Sequence, residues 1–118
     1  MHLKQYPKAI AAKQTQLLEL RQSIATVRET IAGREIDIDR AVAFDPDLKN
    51  DGQRKARRAE LVRADMDLLY LLERLDELDS QREKAEIELN LLLNQFAIAK
   101  LEKRQTIAQM EAEARLAS

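Results

Sequence analysis

Apolar residues between Leu61 and Ala99 recur in alternating steps of three and four, and this spacing constrains the fold more than any other feature. Steps that average about 3.5 residues keep side chains on one slowly rotating face of a helix, as in a left-handed coiled coil. The seam consists of Leu61, Ala64, Leu68, Leu71, Leu75, Leu78, Arg82, Ala85, Leu89, Leu92, Phe96 and Ala99, with Arg82 as its one charged member. The stretch is therefore predicted to be a long helix that packs against another helix.

The first part of the chain carries a second seam with a strict spacing of seven residues. It consists of Ile10, Leu17, Ile24, Ile31 and Ile38, with Leu20, Val27 and Ala41 in companion positions. Arg34 breaks the row, and Gly33 lies beside it, off the seam, where we expect a local bend. Pro7 fits a first helical turn, where the N–H group that proline lacks has no partner. These features predict a first helix over about residues 7–43.

Composition agrees with an all-α protein. Charged residues make up 35% of the chain and aromatic residues 3%, a profile typical of long helices and coiled coils. The two glycines and two prolines supply little material for loops. We therefore expect residues 1–118 to form a single helical domain.

Residues 44–52 contain the turn-forming segment between the two helices. Pro46 and the sequence Asn50-Asp51-Gly52 are typical of turns and helix starts, and Phe44 and Leu48 are expected to cover the end of the bundle. The second helix is then predicted to run without interruption over about residues 53–116. A turn between residues 63 and 100 would contradict that prediction.

Two helices joined by a short loop pack antiparallel, and residue numbers that face each other should then add up to about 99. This register places Arg34 beside Asp65, a natural partner for the charge that breaks the first seam. The fold predicted is thus a long antiparallel helical hairpin in which residues 96–118 of the longer helix extend beyond the shorter one.

Several apolar residues of the second helix have no partner in such a hairpin. Burial of a large apolar side chain is worth about 1.5–3 kcal/mol, so two exposed rows favour an assembly that covers them. The residues expected to form the contact with a second copy or another protein are Ile87, Leu91, Ile98, Leu101, Ile107 and Met110. A symmetric dimer that forms a four-helix bundle would bury them.

A basic cluster lies near the start of the second helix. It consists of Arg54, Lys55, Arg57, Arg58 and Arg63. Positive charge together with free N–H groups at a helix start could bind phosphate, and thus nucleic acid. The same cluster could instead pair with the acidic end of the first helix, which contains Glu35, Asp37, Asp39, Asp45 and Asp47.

The second helix also carries an acidic face. Its members are Asp65, Asp67, Glu73, Asp76, Glu77, Asp79, Glu83, Glu86 and Glu88. Such a face usually contacts solvent, although it could also serve an inhibitor or a nucleic-acid decoy. Arg82, within the seam, is expected to set the register, to extend outward to solvent, or to meet Glu19 or an acidic residue across a dimer.

Nothing in the chain suggests catalysis. His2 is the sole histidine, cysteine is absent, and no glycine-rich phosphate loop occurs. We therefore predict a non-enzyme with no catalytic residues, no cofactor and no metal. The N-terminal residues lack the apolar core of a signal peptide, and the longest apolar run, residues 68–72, is too short to cross a bilayer. A cytoplasmic protein without membrane contact is expected.

The segment from Leu48 to Ala56 resembles a recurring Asn-(acidic)-x-Gln-Arg-Lys segment of small coiled-coil proteins of phages and prophages. The likeness continues through residues 85–89, 94–96 and 100–102, and covers about residues 45–104 in all. It implies a protein of a mobile element, sometimes encoded beside replication or single-strand-annealing recombination functions. The group contributes no active-site residues.

The favoured hypothesis is a non-enzymatic coiled-coil interaction or scaffold protein that forms homo-oligomers and binds an unidentified protein partner. One alternative is an accessory protein of replication or recombination that binds nucleic acid through the basic cluster. Another is a protein inhibitor or decoy that uses the acidic face.

Overall fold

The computed structural model describes residues 1–117, and within them the chain is all-α. A short 3-10 turn, Leu3–Gln5, precedes α1 (Tyr6–Ala43), and α2 (Asp51–Ala64) and α3 (Met66–Ala117) follow. Residues 1–117 contain no β-strand. None of their helices combines the length and the apolar character that a membrane span requires. The predicted all-α class is confirmed; Ser118, the last residue of the predicted extension, lies outside the described residues.

The isoleucine row of α1 forms its buried face, as the spacing predicts. Ile10, Leu17, Ile24, Ile31 and Ile38 are all buried. The row ends differently from the prediction, because Val42 is buried while Ala41 is exposed. Val42 follows Ile38 by four residues and Ala41 follows it by three, so the last turn of α1 points the larger of the two side chains inward.

Gly33 lies in the interior of α1 with no atom within 4 Å of the position that a Cβ would take. We expect Gly33→Ala to raise the free energy of unfolding by about 1 kcal/mol, because alanine loses less backbone entropy in a helix. Chemical denaturation followed by circular dichroism measures this gain. Gly52→Ala is the control, and it should raise the free energy of unfolding by less. Its new Cβ would lie 3.2 Å from Asn50 Oδ1, the atom that caps α2. A loss of stability in Gly33→Ala would contradict the open environment.

The connection between α1 and α2 is shorter than predicted and spans residues 44–50. Asn50 caps α2, because its Oδ1 accepts a hydrogen bond from the Gln53 N–H group at 2.9 Å. The helix therefore begins at Asp51 rather than at residue 53. The expectation that Phe44 covers the end of the helices is wrong, since this side chain is 83% exposed.

The prediction of one uninterrupted helix over residues 53–116 is also wrong, because α2 ends at Ala64 and α3 begins at Met66. Asp65 between them has extended backbone angles, φ −84° and ψ 92°. Its N–H group still bonds to the carbonyls of Leu61 and Val62, while its side chain accepts a hydrogen bond from the Leu68 N–H group at 3.0 Å. Asp65 thus ends one helix and caps the next.

The contacts of the chain divide it into two compact units. The loop unit comprises residues 19–82, and the terminal unit comprises residues 1–18 and 83–117. In the loop unit, a core cluster contains Ile31, Ile38 and Leu68, against which Val27, Leu61, Val62, Leu71 and Leu75 pack. This cluster joins α1 to α2 and α3.

Ion pairs show that the helices of the loop unit run antiparallel. Asp39 Oδ1 of α1 lies 2.8 Å from Arg58 Nε of α2. Arg28 precedes Asp39 in α1, and its Nη2 lies 3.9 Å from Oδ1 of Asp79, which follows Arg58 in the chain. The predicted pair of Arg34 and Asp65 forms between these two, with Nη2 2.8 Å from Oδ1. Both the antiparallel arrangement and this register are confirmed.

The terminal unit shows the same antiparallel pairing of α1 and α3. The rings of Tyr6 and Phe96 stack with their centroids 5.5 Å apart, and Lys13 pairs with Glu88. Lys100 Nζ lies over the Phe96 ring, 4.4 Å from its centroid. Within the described residues of the terminal unit, α1 leaves the outer side of α3 and the last part of its inner face exposed, and the candidate surfaces lie there.

Candidate interaction surfaces

Four apolar side chains form an exposed row on α3 of the terminal unit. This outer row consists of Ile87, Leu91, Ile98 and Leu101, and each side chain is at least 55% exposed. Eleven residues make about three turns of a helix, so Ile87 and Ile98 share a face, and Leu91 and Leu101 lie close to the same line. Phe96, which packs on Tyr6, points to the opposite side of α3. The outer row therefore faces away from α1.

A second exposed surface is the tail, which we define as residues 100–117 of α3. Every residue of the tail is exposed, including Ile107 and Met110. Ile107 follows Phe96 by eleven residues, so it lies on the face that packs on α1 earlier in the helix. The tail thus continues the inner face of α3 without a covering helix among the described residues of its unit.

The interruption at Asp65 is the most polar contact of the loop unit. Arg34 donates two hydrogen bonds to the Asp65 carboxylate, at 3.0 Å from Nε and 2.8 Å from Nη2, and a longer one of 3.4 Å to Asp67. The Asp65 side chain is 16% exposed. Hydrogen bonds from Arg34 and from the Leu68 N–H group lower the pKa of Asp65. The hydrogen bond with Asp65 in turn raises the pKa of Arg34.

This arrangement joins α1 to the start of α3 through a side-chain ion pair. The Asp65 carboxylate accepts hydrogen bonds from the guanidinium of Arg34 in α1 and from the Leu68 N–H group in the first turn of α3. It also fixes the register, because the pair forms only when Arg34 and Asp65 face each other.

The basic cluster is largely engaged within its own chain. Arg58 pairs with Asp39 at the acidic end of α1, and this hydrogen bond raises the pKa of Arg58. Arg54 pairs with Asp51 at 3.0 Å, and Arg57 pairs with Glu60 at 3.1 Å. The structure thus places three of the five predicted side chains in ion pairs, while Lys55 and Arg63 lie exposed on α2. The predicted pairing with the acidic end of α1 occurs through Arg58.

Members of the acidic face are paired in a similar way. Arg34 holds Asp65 and Asp67, and Arg74 lies 3.3 Å from Glu77. Arg82, the charged seam residue, lies 3.7 Å from Asp79, one turn earlier. The same carboxylate oxygen of Asp79 is 3.9 Å from Arg28, so two arginines flank it. No group of three or more His, Cys, Asp or Glu residues in the described part of the chain could hold a metal ion.

Sequence reasoning missed Asp65 as a helix boundary, although a local signal exists. Arg63 is a basic residue of the kind that favours the last turn of a helix, and Asp67 is an acidic residue of the kind that favours the first. Asp65 between them is a good N-cap residue. The seven-residue repeat continues across the boundary, which hides it from an analysis of periodicity.

No protein-family model, no curated protein and no solved structure matches this chain. Its function must therefore be argued from the surfaces described above.

Proposed function

We propose that this chain is a non-enzymatic coiled-coil interaction protein that self-associates through the exposed apolar face of α3 in the terminal unit. The observation that carries the proposal is the outer row, Ile87, Leu91, Ile98 and Leu101, four large side chains exposed along one line of a helix. The resemblance of the chain to phage and prophage coiled-coil proteins suggests a role as a scaffold encoded by a mobile element.

Burial of the outer row in a contact between two copies is energetically favourable. Each of these side chains gains about 1.5–3 kcal/mol when it moves from water into an apolar contact. A row of this kind on a regular helix suits the flat, repetitive contact between helices of two copies, in which each copy presents the same residues. Symmetry doubles the number of apolar side chains buried, because every contact occurs twice.

Nucleic-acid binding through the basic cluster has weaker support. Arg54, Arg57 and Arg58 already have carboxylate partners at 2.8–3.1 Å, and a phosphate would have to replace them. Counterion release makes such binding strongly dependent on salt. A gel shift at low salt, with Lys55→Ala/Arg63→Ala as the variant, tests this alternative; salt-sensitive binding that the variant loses would support it.

We expect Leu91→Lys/Ile98→Lys to abolish the self-association that the outer row mediates, because two charges on each copy would have to be buried at that contact. Both positions are exposed, so the helical content measured by circular dichroism should stay unchanged. Sedimentation velocity at micromolar concentrations measures the oligomeric state. The matched control is Asn90→Lys/Gln95→Lys, which adds the same charge to exposed positions outside the outer row.

The wild-type protein and the control should sediment as larger oligomers than the outer-row variant, which loses the outer-row contact. A fully helical wild-type monomer over the whole micromolar range would refute the proposal. Equal oligomerisation of the outer-row variant and the wild type would show that the contact lies elsewhere.

A further inference from the structure

We infer that two copies of this chain pair their tails in an antiparallel arrangement, with Ile107 of each copy against Met110 of the other and Arg104 of each copy opposite Glu111 of the other. This inference adds a second contact to the self-association proposed above and specifies the orientation of that contact. It concerns a different face of α3 from the outer row.

The tail presents an apolar face that continues the inner face of α3. Lys103, Ile107, Met110 and Ala114 follow Phe96 by seven, eleven, fourteen and eighteen residues, so all four lie close to the line of the Phe96 side chain. Phe96 is half-buried against Tyr6, whereas Ile107 and Met110 are exposed. This inner face of the tail has the spacing of a coiled-coil seam but no covering helix among the described residues of its unit.

A second copy of the tail can cover this face, and the lysine in the seam decides the orientation of that copy. A parallel second copy would place Lys103 opposite Lys103, two like charges facing each other at the centre of the contact. An antiparallel copy that aligns Ile107 with Met110 places Lys103 opposite Ala114 instead. Alanine leaves room for the lysine stem, which can cover apolar surface while its ammonium group reaches water.

Charged side chains border this face and favour the same orientation. Arg104 and Glu111 are seven residues apart, about two turns, so they border the same side of the seam. In an antiparallel pair, a flank of one helix faces the identical flank of its partner, so Arg104 of each copy meets Glu111 of the other. Two complementary ion pairs form across the symmetry axis. The opposite flank carries Thr106 and Glu113, which place no like charges together.

The parallel arrangement lacks this complementarity. There, residues on opposite flanks approach each other, and Arg104 would be near Ala99 or Thr106 rather than near a carboxylate. Both the lysine in the seam and the flanking charges therefore favour the antiparallel pair.

Charge reversal tests the pairing directly. Either Arg104→Glu or Glu111→Arg converts two attractions into two repulsions and should weaken self-association about tenfold, the scale expected for a few exposed ion pairs. The double variant Arg104→Glu/Glu111→Arg should recover the wild-type dissociation constant, and a mixture of the two single variants should form a hetero-oligomer of similar affinity. Glu113→Arg, with the same change of charge as Glu111→Arg but on the other flank, should have little effect.

Disulfide cross-linking tests the orientation independently, because the natural chain has no cysteine. Lys103→Cys mixed with Ala114→Cys should give a cross-linked heterodimer under mild oxidation. Ala114→Cys alone should give none, since the two Ala114 positions lie at opposite ends of an antiparallel pair.

The outcomes separate the two proposals. If the wild type self-associates but Ala114→Cys cross-links with itself, or the charge-reversed mixture fails to recover affinity, the antiparallel tail pairing is overturned and the proposed function stands. If the wild type stays monomeric at all micromolar concentrations, both are overturned.

Discussion

Leu68→Ala should lower the free energy of unfolding by about 3 kcal/mol, since removal of a buried leucine side chain costs about 2–5 kcal/mol. Leu68 is only 1% exposed and is the largest fully buried side chain of the described residues. It packs with Ile31 and Ile38 in the core cluster that joins α1 to α3. A loss of this size is a large share of the stability of a small protein, which is about 5–15 kcal/mol.

Chemical denaturation followed by far-ultraviolet circular dichroism measures this loss. Leu69→Ala is the matched control, because the same atoms are removed from the neighbouring residue, whose side chain is 40% exposed. We expect Leu69→Ala to cost well under half as much as Leu68→Ala. Equal losses in the two variants would mean that Leu68 does not have the special position in the core that its burial indicates.

Asp65→Ala should lower the midpoint of thermal unfolding by about 5–10 °C, because it removes a helix cap and the partner of Arg34 together. Asp65→Asn is the informative comparison. Its amide oxygen can still accept the hydrogen bond from the Leu68 N–H group, whereas its charge is lost. The asparagine variant should therefore lie between the wild type and the alanine variant.

The effect of Asp65 should depend on pH with a defined sign. Its pKa is lowered in the folded protein, chiefly by the hydrogen bond from Arg34, so the folded state binds its proton less readily than the unfolded state does. The stabilisation is complete above the unfolded pKa of about 3.9 and disappears as the pH falls through the lower folded pKa. We therefore expect the advantage of the wild type over Asp65→Asn to shrink between about pH 5 and pH 3.

Thermal unfolding of the wild type and both variants across this pH range provides the measurement. An Asp65→Ala protein at least as stable as the wild type at neutral pH would show that α2 and α3 can merge into one helix at no cost. An advantage of the wild type that grows with acidification would contradict the direction of the pKa shift.

Much of the fold follows from periodicity. The isoleucine row from Ile10 to Ile38 and the leucine seam around Leu68 and Leu78 predict which faces of the helices are buried, because a helix repeats every 3.6 residues whatever its neighbours are. The short connection after α1 then requires antiparallel packing, and the pair of Arg34 and Asp65 follows from the resulting register.

Periodicity was a poorer guide at the ends of elements. Phe44 is exposed, and it follows the last residue of α1, so the helical repeat does not predict the direction of its side chain. The sequence placed Ala41 in the buried row, whereas the structure buries Val42, because both residues fit the spacing of the last turn. For the candidate surfaces, the spacing of Ile87 and Ile98 predicted one shared face of α3. Arg58 forms the predicted contact with the acidic end of α1 by pairing with Asp39, while nucleic-acid binding by the basic cluster stays a prediction.

The sequence by itself determined that this chain forms amphipathic helices with a seven-residue repeat and where their apolar faces lie, since these properties depend on the spacing of side chains along one element. The flanking charges of Arg63 and Asp67 permit a helix boundary, but only the tertiary structure decided that the second helix is interrupted at Asp65. That residue could have remained within a helix, but Arg34, 31 residues away in sequence, and the Leu68 N–H group meet its carboxylate there. Such a contact depends on the packing of two helices, and the pattern of either helix alone does not contain it.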